Sequence, residues 1–526
     1  MVDDAAILRK FIDEELQLTR DALEMLRARA DAETAADRVL EGIRAMIKKP
    51  FIITGDEVTK ILSGIGAPQP PASEILVQPC LEIREEKPEL EIPPKTLPEL
   101  AHLRFKPLAA EFEARVDILQ DITGQSYTEG GIQDFVKLFK DRFERLRNIL
   151  RKRMDLQGAI PIKSVSSYGD GETVKMIGIV ADKRESKAGN VIVELEDESG
   201  RTIVIISKRR RDLAQKAGEV VQDEVIGVVA TMRKTGDRTP LLLAKDVIWP
   251  ETPVQREPAR ALEPVCAALL SDLHVGSEMF LEDAFTRFLK WLRGEVGNEE
   301  QRELAGRVKY LVIAGDIVDG VGVYPRQEEE LLITDIFKQY DAAAELLAQV
   351  PDYVKIIIAP GNHDAVRQLE PQPAISKDVA PALYDLNVVM VGNPSWLKIH
   401  DVKFLVYHGR SFDDLIANIP GLEHQKSVPP MVKLIQKRHL APIYGGRTAL
   451  SPENKDYLVI EDIPDIMHCG HMHVYGCDRY RNIMLVNSGT FQERTNYMKS
   501  LGVKPTPGIV PIVDLQTHQA KVIHFV

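Results

Sequence analysis

The first stretch of the chain repeats apolar residues at intervals of three and four positions. Such spacing places apolar side chains on one face of a helix, because a helical turn has about 3.6 residues. We therefore predict a small α-helical module over residues 1–65, with a docking or folding role as the simplest function. Its two apolar faces are formed by Ile7, Leu8, Phe11, Ile12 and Leu16, and by Leu40, Ile43 and Ile47.

Two segments of different character follow this module. Residues 66–99 are rich in proline, which favours an extended or flexible linker. Residues 100–158 return to helical spacing and predict a helical segment that leads into the next domain. The end of that segment is basic, and its cations either complement the helix dipole, which is the simpler explanation, or contact phosphate. The basic residues are Arg147, Arg151, Lys152 and Arg153.

Between residues 159 and 250 the apolar pattern changes to strict alternation, which is typical of strands with one buried face. Turn residues separate the alternating runs, and residues 208–216 interrupt them with a helical pattern. We predict an all-β barrel of the OB type, a fold that often binds oligonucleotides. The predicted strands are residues 174–180, 191–196, 202–206, 225–230 and 241–248.

Cationic residues of the barrel raise the question of what it binds. A basic track could run along its surface, although a run of charge is usually only a solvated face. Aromatic residues suited to base stacking are few, with Tyr168 and Trp249 the main ones. Contact with protein and contact with nucleic acid therefore both stay open. The candidate cations are Lys208, Arg209, Arg210, Arg211, Arg233, Lys234 and Arg238.

A second linker, residues 251–264, precedes the C-terminal domain of residues 265–526. Here short apolar runs are each followed by polar residues. Runs of this length predict buried parallel strands, and an open α/β sheet places its reactive groups just beyond the carboxyl ends of such strands. We thus expect a multidomain chain in which an α-helical module and an all-β barrel precede an α/β domain.

Length and composition fit a cytoplasmic protein of several domains. A chain of 526 residues is too long for one core. No apolar run approaches the roughly 20 residues of a membrane span, and the charged start lacks the apolar part of a signal peptide, so we expect no membrane partner. The net charge of −12 argues against a general nucleic-acid coat. Scattered cysteines suit a reducing compartment, and they are Cys80, Cys266, Cys469 and Cys477.

Five polar motifs follow predicted strands of the C-terminal domain. Their carboxylate, amide and imidazole groups suit manganese, iron or zinc, and the absence of cysteine from the set argues against a structural zinc site. A carboxylate that can bridge, flanked by such ligands, is what a pair of divalent ions requires. The motifs are Asp272-Leu273-His274, Gly315-Asp316, Gly361-Asn362-His363-Asp364, Tyr407-His408-Gly409 and Gly470-His471-Met472-His473.

Each motif alone has a simpler explanation. An Asp-x-His triplet is common by chance, and a Gly-Asp pair after a strand is an ordinary turn. Gly-Asn-His-Asp is rarer, and His-x-His after a strand is a stronger sign of metal binding. All five motifs occur in this order and each follows a predicted strand, so coincidence is a poor explanation for the set.

The order of these motifs resembles that of the calcineurin-like metallophosphoesterases, over about half of the chain. Longer stretches resemble the small-subunit family of archaeal family D DNA polymerases, in which a helical region, an OB domain and a phosphoesterase domain follow one another. The resemblance implies a two-sheet α/β metallophosphoesterase sandwich for residues 265–526. The stretches that carry it are residues 319–325, 327–331, 361–373, 407–414 and 438–446.

The resemblance also implies two divalent metal ions, with manganese preferred and iron or zinc as alternatives. His363 would donate a proton to the departing oxygen, since it cannot easily ligate beside Asn362, and Asp364 would fix the tautomer of its imidazole. The ligands would be Asp272, His274 and His473 for one ion and Asn362, His408 and His471 for the other, with Asp316 bridging.

As a function, the resemblance implies a metal-dependent 3′→5′ exonuclease that proofreads beside a large polymerising subunit. Its substrate would be a single-stranded or mismatched DNA 3′ end, and contact with a sliding clamp is left open. Two alternatives remain, an accessory scaffold subunit with little turnover and a free-standing metal-dependent phosphodiesterase. The helical module, linkers and barrel argue against the latter, because an enzyme for small molecules has no evident use for them.

Overall fold

The computed structural model of the protein describes residues 105–234, 241–500 and 502–526, together with short pieces before residue 80. The chain divides into two compact units, Met1–Ile75 and Leu76–Val526. Most of the predicted helical module lies outside the described residues. Its described pieces include helical positions, among them Leu26 and Leu40, and a parallel pair of two-residue strands, β1 (Gln17–Leu18) and β2 (Ile52–Ile53). This strand pair was not predicted.

Two strands lie where the sequence predicts a linker and a helical segment. Strand β3 (Val77–Pro79) falls in the stretch 66–99, the rest of which is outside the described residues. Strand β4 (Val116–Gln120) falls in the stretch 100–158. Both are edge strands of a sheet built by the C-terminal part of the chain, so the prediction of helix is wrong at residues 116–120, and the predicted linker contains a short strand. Their partners are hundreds of residues away, and no local pattern reveals such pairing.

Helix α1 (Ile132–Arg151) confirms the helix predicted from apolar spacing, although some of its apolar residues are exposed. Ile132 is 81% exposed, whereas the side chain of Arg142 is fully buried. The Nε atom of Arg142 donates to Asp456 Oδ2 at 2.8 Å, and its Nη1 atom donates to the main-chain oxygen of Pro442 at 3.0 Å. These partners offset the cost of burying the guanidinium.

The five predicted barrel strands are confirmed, and they close in the order β5-β6-β7-β9-β8. Neighbours pair antiparallel except β7 and β9, which run parallel. Helix α2 (Arg211–Glu219) connects β7 to β8, close to the predicted helical interruption. The strands are β5 (Thr173–Glu185), β6 (Val191–Asp197), β7 (Gly200–Ile206), β8 (Val225–Arg233) and β9 (Leu241–Ile248).

The C-terminal part of the chain adds eleven further strands to the described residues. They are β10 (Cys266–Leu270), β11 (Val308–Ala314), β12 (Lys355–Ala359), β13 (Val388–Met390), β14 (Ser395–Ile399), β15 (Val402–Tyr407), β16 (Ile466–Cys469), β17 (Gly476–Tyr480), β18 (Ile483–Asn487), β19 (Ile509–Asp514) and β20 (Ala520–His524). The strand predicted before each of the five polar motifs is therefore present.

These strands form two mixed sheets. One has the order β13-β12-β11-β10-β19-β20, in which β10 to β13 are parallel. The other has the order β3-β17-β18-β16-β15-β14-β4, with β15, β16 and β18 parallel at its centre. A shared core joins residues of both sheets, such as Leu269 and Val312 from the first and Phe404 and Val486 from the second. The two sheets thus pack face to face.

Helices cover the outer faces of both sheets. Alternate residues of β10 divide between the two sides, since Ala267 and Leu269 face the other sheet while Ala268 and Leu270 face the helices. Among the described residues, no helix combines the length and apolarity needed to cross a lipid bilayer. The helices are α3 (Glu282–Leu292), α4 (Glu299–Gly306), α5 (Ile336–Leu347), α6 (Pro381–Tyr384), α7 (Phe412–Asn418), α8 (Val428–Lys437) and α9 (Asn496–Ser500).

The predicted linker 251–264 is anchored along the two-sheet part. The main-chain N–H of Ala261 donates to the oxygen of Leu515 at 2.9 Å, and the side chain of Arg256 pairs with the buried carboxylate of Asp465. At the start of this segment, Thr252 is buried. The connection between the barrel and the sheets is therefore held at several points.

Candidate metal centre

The predicted site residues lie in the turns that follow five strands from both sheets. Asp272 and His274 follow β10, Asp316 follows β11, and Asn362 and His363 follow β12. The second sheet contributes three more residues, which follow β15 and β16 and are His408, His471 and His473. The parallel strands that precede the turns end at a common edge, so residues up to about 200 positions apart in sequence come within hydrogen-bonding distance there.

Five of these residues have a left-handed backbone conformation, which costs energy for residues other than glycine. Such conformations persist where the surrounding structure enforces them, and they cluster at functional sites. Here they turn each side chain back toward the edge of the sheet. The φ angles are 52° at Asp272, 54° at His274, 52° at Asp316, 67° at His471 and 54° at His473.

Two glycines of the motifs allow the loops to approach each other. A Cβ atom on Gly361 would overlap the carboxylate of Asp316, and one on Gly470 would lie 2.5 Å from Asp272 Oδ2. Any larger residue would displace these carboxylates. The glycines that precede Asn362 and His471 are therefore explained by close packing at the site.

One group of potential ligands consists of Asp272, His274 and His473. Their ligand atoms all lie within 4.8 Å of one another, and the residues are buried. The Nε2 atom of His473 is 3.3 Å from Asp272 Oδ1 and 3.1 Å from the Nε2 atom of His274. The structure thus brings together the three residues predicted to share an ion.

A second group surrounds His408. Its Nε2 atom lies 3.2 Å from Asp316 Oδ2 and 3.1 Å from Asn362 Oδ1. The ring centroid of His471 is 5.2 Å from that of His408, and its Nε2 atom pairs with Asp413 Oδ2 at 3.4 Å. Because Nε2 of His471 is engaged in this way, its Nδ1 atom is the one left to act as a ligand. Asp316 Oδ2 is also 3.9 Å from Nε2 of His274, so its carboxylate stands between the two groups.

The orientation of the imidazoles fits metal binding. Nδ1 of His274 is 2.9 Å from Asp319 Oδ1, and Nδ1 of His408 is 2.9 Å from the main-chain oxygen of Ala314. Since both partners are acceptors, Nδ1 carries the proton and each Nε2 presents a lone pair to the neighbouring carboxylates. Facing acceptors repel one another unless a cation or a proton lies between them.

When no metal ion is bound, the need for positive charge between these acceptors shifts the pKa values of the groups. Burial lowers the pKa of His408, but the charge of Asp316 outweighs it and raises the pKa to about 10. Burial likewise raises the pKa of Asp316, yet the neighbouring His408 and His363 hold it well below its usual range. The donor set therefore attracts positive charge strongly, as a site for divalent cations must.

The imidazole of His363 is oriented by a different residue from the predicted Asp364. Nδ1 of His363 donates to the main-chain oxygen of Asp319 at 2.7 Å, so this carbonyl fixes the tautomer. Asp364 instead accepts from the N–H of Gly361 at 2.8 Å and from the hydroxyl of Tyr340 at 3.1 Å. The predicted role of Asp364 toward the imidazole is wrong, because adjacent side chains on this turn point in different directions.

The environment of Asp364 agrees with a structural role. Its carboxylate also accepts from the N–H of Ile317 at 3.4 Å, which ties the loop after β12 to the loop after β11. Burial raises the pKa of Asp364 to about 6. Asp364 thus braces the two loops that carry Asp316 and Asn362.

Sequence reasoning missed two carboxylates that orient predicted ligands. Asp319 accepts from His274 as described above and from Gln327 Nε2 and Gln492 Nε2, at 2.8 and 2.9 Å. Asp413 pairs with His471 and, at 3.3 Å, with His424. Asp319 could have been suspected from its place three residues after Asp316, whereas nothing in the sequence relates Asp413 to His471.

Two of the described cations of the predicted basic track lie near carboxylates: Arg210 pairs with Asp212 at 2.8 Å, and Arg233 lies 3.8 Å from Asp170. At the basic end of helix α1, Arg153 pairs with Asp155 at 3.0 Å and Arg147 lies 3.6 Å from Glu198. Such pairing is typical of a solvated protein surface and leaves the nature of the barrel's partner open. Arg238 lies outside the described residues.

Comparison with known proteins defines the class. Residues 267–477, which include all five motifs, match the family of the B subunits of DNA polymerases alpha and epsilon. The DNA polymerase II small subunit of Methanothermobacter thermautotrophicus is 43% identical over 77% of this chain and 82% of that protein. The corresponding proteins of Methanocaldococcus jannaschii and Pyrococcus horikoshii are 42% and 38% identical, over 79% and 97% of this chain and 70% and 81% of their own lengths. The chain belongs to the family of archaeal DNA polymerase II small subunits, the small subunits of family D polymerases.

Proposed function

We propose that this polymerase small subunit is a metal-dependent 3′→5′ exonuclease that hydrolyses phosphodiester bonds at DNA 3′ ends. The observation that carries the proposal is the convergence of two ligand groups on Asp316, with the imidazole of His363 beside them. His363 shares a group with His274 and Asp316 in which all ligand atoms lie within 4.8 Å of one another. A phosphate at this position would meet both the ions and a proton donor.

Asp272, His274 and His473 would hold one divalent ion and Asn362, His408 and His471 the other, with Asp316 shared. Manganese is the preferred metal, with iron and zinc as alternatives, since all three accept oxygen and imidazole ligands. When bound, a pair of ions roughly 3.5–4 Å apart activates water and neutralises charge on the phosphate. The remaining tasks of orientation and proton transfer fall to the residues of this chain.

His363 would supply the proton to the departing oxygen. Its Nδ1–H is held by the oxygen of Asp319, so Nε2 is the ring atom that would carry the transferred proton. The main-chain N–H of His363 donates to Asp316 Oδ1 at 2.8 Å, which fixes the distance between the ring and the shared carboxylate. Asp319 and Asp413 would keep His274 and His471 in their ligating orientations.

The fold supports finer assignments of the domains. The closed barrel order β5-β6-β7-β9-β8, with a helix between the third and fourth strands, is consistent with an OB-type domain over residues 159–250. Two face-to-face sheets with outer helices are consistent with a calcineurin-like metallophosphoesterase sandwich over residues 265–526. The boundaries of the other segments, residues 1–65, 66–99, 100–158 and 251–264, are proposed from the sequence pattern.

The family name supports a large polymerising subunit as partner. A single-stranded or mismatched DNA 3′ end would be the substrate, and a sliding clamp is a further candidate partner. A second function class is that of a scaffold subunit with little turnover, in which the ligands serve stability alone. The buried network that joins the barrel to the sheets, centred on Lys437 and Glu224, favours such a supporting role alongside catalysis.

The test is release of nucleotides from a 3′-end-labelled, mismatched primer by the full chain, alone and with its large subunit. Manganese-dependent loss that EDTA abolishes, and that Asp316→Ala and His363→Ala both remove, is the expected result. His524→Ala, which changes an exposed histidine far along strand β20, is the matched control and should keep full activity. Bound metal without nucleotide release would favour the scaffold, and preference for a chromogenic diester over DNA would favour a free-standing phosphodiesterase.

A further inference from the structure

A cavity of about 440 Å³ opens beside His363. Its walls are mainly aliphatic and come from the loop after β11, the start of α5 and the loop after β12. The volume falls within the roughly 300–1,000 Å³ range of sites for small molecules. The side chains that matter here are Val321, Val323, Ile336, Val366, His363 and Gln368.

The chemistry of the walls favours a flat, uncharged group. Asp364 also borders the cavity, but its carboxylate accepts hydrogen bonds from Gly361, Ile317 and Tyr340. Its charge is therefore largely compensated by these donors. The aliphatic side chains of Val323, Ile336 and Val366 suit the faces of a nucleobase or a deoxyribose. Charged ligands such as a second phosphate would find no lysine or arginine among these lining residues.

Gln368 adds polar contacts without selecting one base. Its Nε2 atom donates to the main-chain oxygen of Asn362 at 2.9 Å, and its Oε1 atom accepts from Nη1 of Arg410 at 2.9 Å. These bonds fix the amide and leave one N–H and one lone pair available. With one free hydrogen-bond donor and one free acceptor, the amide of Gln368 can form a hydrogen bond with the edge of any base.

The position of His363 decides which nucleotide the cavity serves, and this step rests on the proposed function. In 3′→5′ hydrolysis a new bond forms between a water oxygen and phosphorus, and the bond from phosphorus to the 3′ oxygen of the penultimate nucleotide breaks. The proton from Nε2 of His363 goes to that 3′ oxygen, and a 5′-mononucleotide is released. The side of the site next to His363 is therefore the leaving-group side.

We infer that the cavity beside His363 binds the sugar and base of the penultimate nucleotide, which becomes the new 3′ end. A base can enter only when it is unpaired and unstacked. The exonuclease would then act on ends frayed by two nucleotides, and a paired penultimate base would protect the primer. Selection between correct and mismatched ends would thus begin in this cavity.

The test fills the cavity and compares substrates. Val321→Trp is suitable because Val321 is 45% exposed at the cavity, so the larger side chain needs no repacking of the core. Leu332→Trp, at a position that is 72% exposed and not among the lining residues, is the matched control. Each variant is assembled with the large subunit and assayed with single-stranded DNA that has all bases, no penultimate base or no terminal base.

We expect Val321→Trp to lower kcat/KM roughly tenfold or more on DNA with all bases and on DNA without the terminal base. On DNA without the penultimate base, wild type and variant should be equally slow, since the two changes remove one contact. Leu332→Trp should behave as wild type on every substrate. The inference would be overturned if Val321→Trp lowered kcat/KM on DNA without the penultimate base as much as on DNA with all bases. It would also be overturned if folded Val321→Trp kept full activity on DNA with all bases.

A binding measurement separates this inference from the proposed function. DNA with 2-aminopurine at the penultimate position is titrated with each protein in EDTA, and its fluorescence is followed. Wild type and Leu332→Trp should change the fluorescence, and Val321→Trp should not. If wild type does not degrade DNA but changes the fluorescence as expected, the exonuclease proposal fails and the cavity remains a nucleoside site. If wild type degrades DNA but does not change the fluorescence, only the inference about the cavity fails.

Discussion

Nδ1 of His274 donates to Oδ1 of Asp319 over 2.9 Å, and both side chains are buried. The main-chain oxygen of the same aspartate accepts from Nδ1 of His363. One residue that is not itself a predicted ligand therefore orients an imidazole predicted to bind metal with its side chain and the proposed proton donor with its backbone. The two contacts can be separated by mutation, because only the first depends on the carboxylate.

Asp319→Asn should weaken metal binding about 10- to 100-fold, the usual effect of removing a charged partner from a ligating histidine. The backbone contact to His363 survives, so the loss should appear in metal affinity and be rescued by excess manganese. Isothermal titration with manganese measures it. The exposed Asp378→Asn is the control. Unchanged affinity in Asp319→Asn would show that Asp319 does not support the first ion.

His363→Asn should separate proton transfer from metal binding. On DNA we expect kcat to fall by about 10²- to 10⁴-fold, the usual contribution of a general acid. On the p-nitrophenyl ester of thymidine 5′-monophosphate the loss should be far smaller, because nitrophenolate departs without a proton. Metal content, measured by mass spectrometry, should not change. A similar loss on both substrates together with lost metal would instead identify His363 as a ligand.

The sequence could predict which residues the structure brings together because its motifs are local, with each predicted ligand a few residues beyond an apolar strand. It could not predict contacts between loops, and Asp364 shows this. Its neighbour His363 is oriented by Asp319, which lies 44 positions earlier. Direction within a turn depends on φ and ψ, which residue type alone does not determine.

The same limit applies to the fold. The barrel strands were predicted because alternation of apolar and polar residues is a local property. Strand β4 was missed because its partner strand is distant in sequence. Ile118 of β4 pairs with Leu397 of β14 yet is 49% exposed, so its burial gives no alternating signal. The buried Arg142 in α1 was likewise unpredictable, since its partner Asp456 is 314 positions away.

A buried ion pair joins helix α8 to the barrel. Nζ of Lys437 is 2.6 Å from Glu224 Oε2, and each side chain is 2% exposed. Lys437→Met should destabilise the protein by roughly 3–5 kcal/mol, because it leaves a buried carboxylate without its cation. The double variant Lys437→Met/Glu224→Gln should recover much of this loss. Thermal unfolding of each variant measures the effect.

The control for this pair is Lys521→Met, which removes an exposed ion pair with Glu300. Exposed pairs of this kind contribute little, so its unfolding temperature should match that of wild type. If Lys437→Met unfolds at the wild-type temperature, the pair does not stabilise the junction. If the double variant is less stable than the single one, Glu224 stabilises the fold through its other partners, Trp249 and Val221.

His439 should make stability depend on pH in mildly acidic solution. Its Nε2 atom lies 2.9 Å from Asp456 Oδ2, and its Nδ1 atom accepts from the main-chain N–H of Ala441 at 3.1 Å. Both bonds are satisfied by the neutral ring, and a proton on Nδ1 would break the second. Burial, assisted by the charge of Arg142, lowers the pKa of His439 to about 4.

In the unfolded chain this histidine titrates near its ordinary pKa of about 6.5, so between pH 6.5 and pH 4 the unfolded state binds more protons. The contribution of His439 to the free energy of unfolding is therefore fully present above about pH 6.5. It falls with decreasing pH, by about 2 kcal/mol between pH 7 and pH 5. His439→Gln should be less stable at pH 7 but should lose less on acidification. Urea unfolding at both pH values measures this, with the exposed His524→Gln as control. An identical pH dependence in His439→Gln and wild type would mean that other groups govern the acid response.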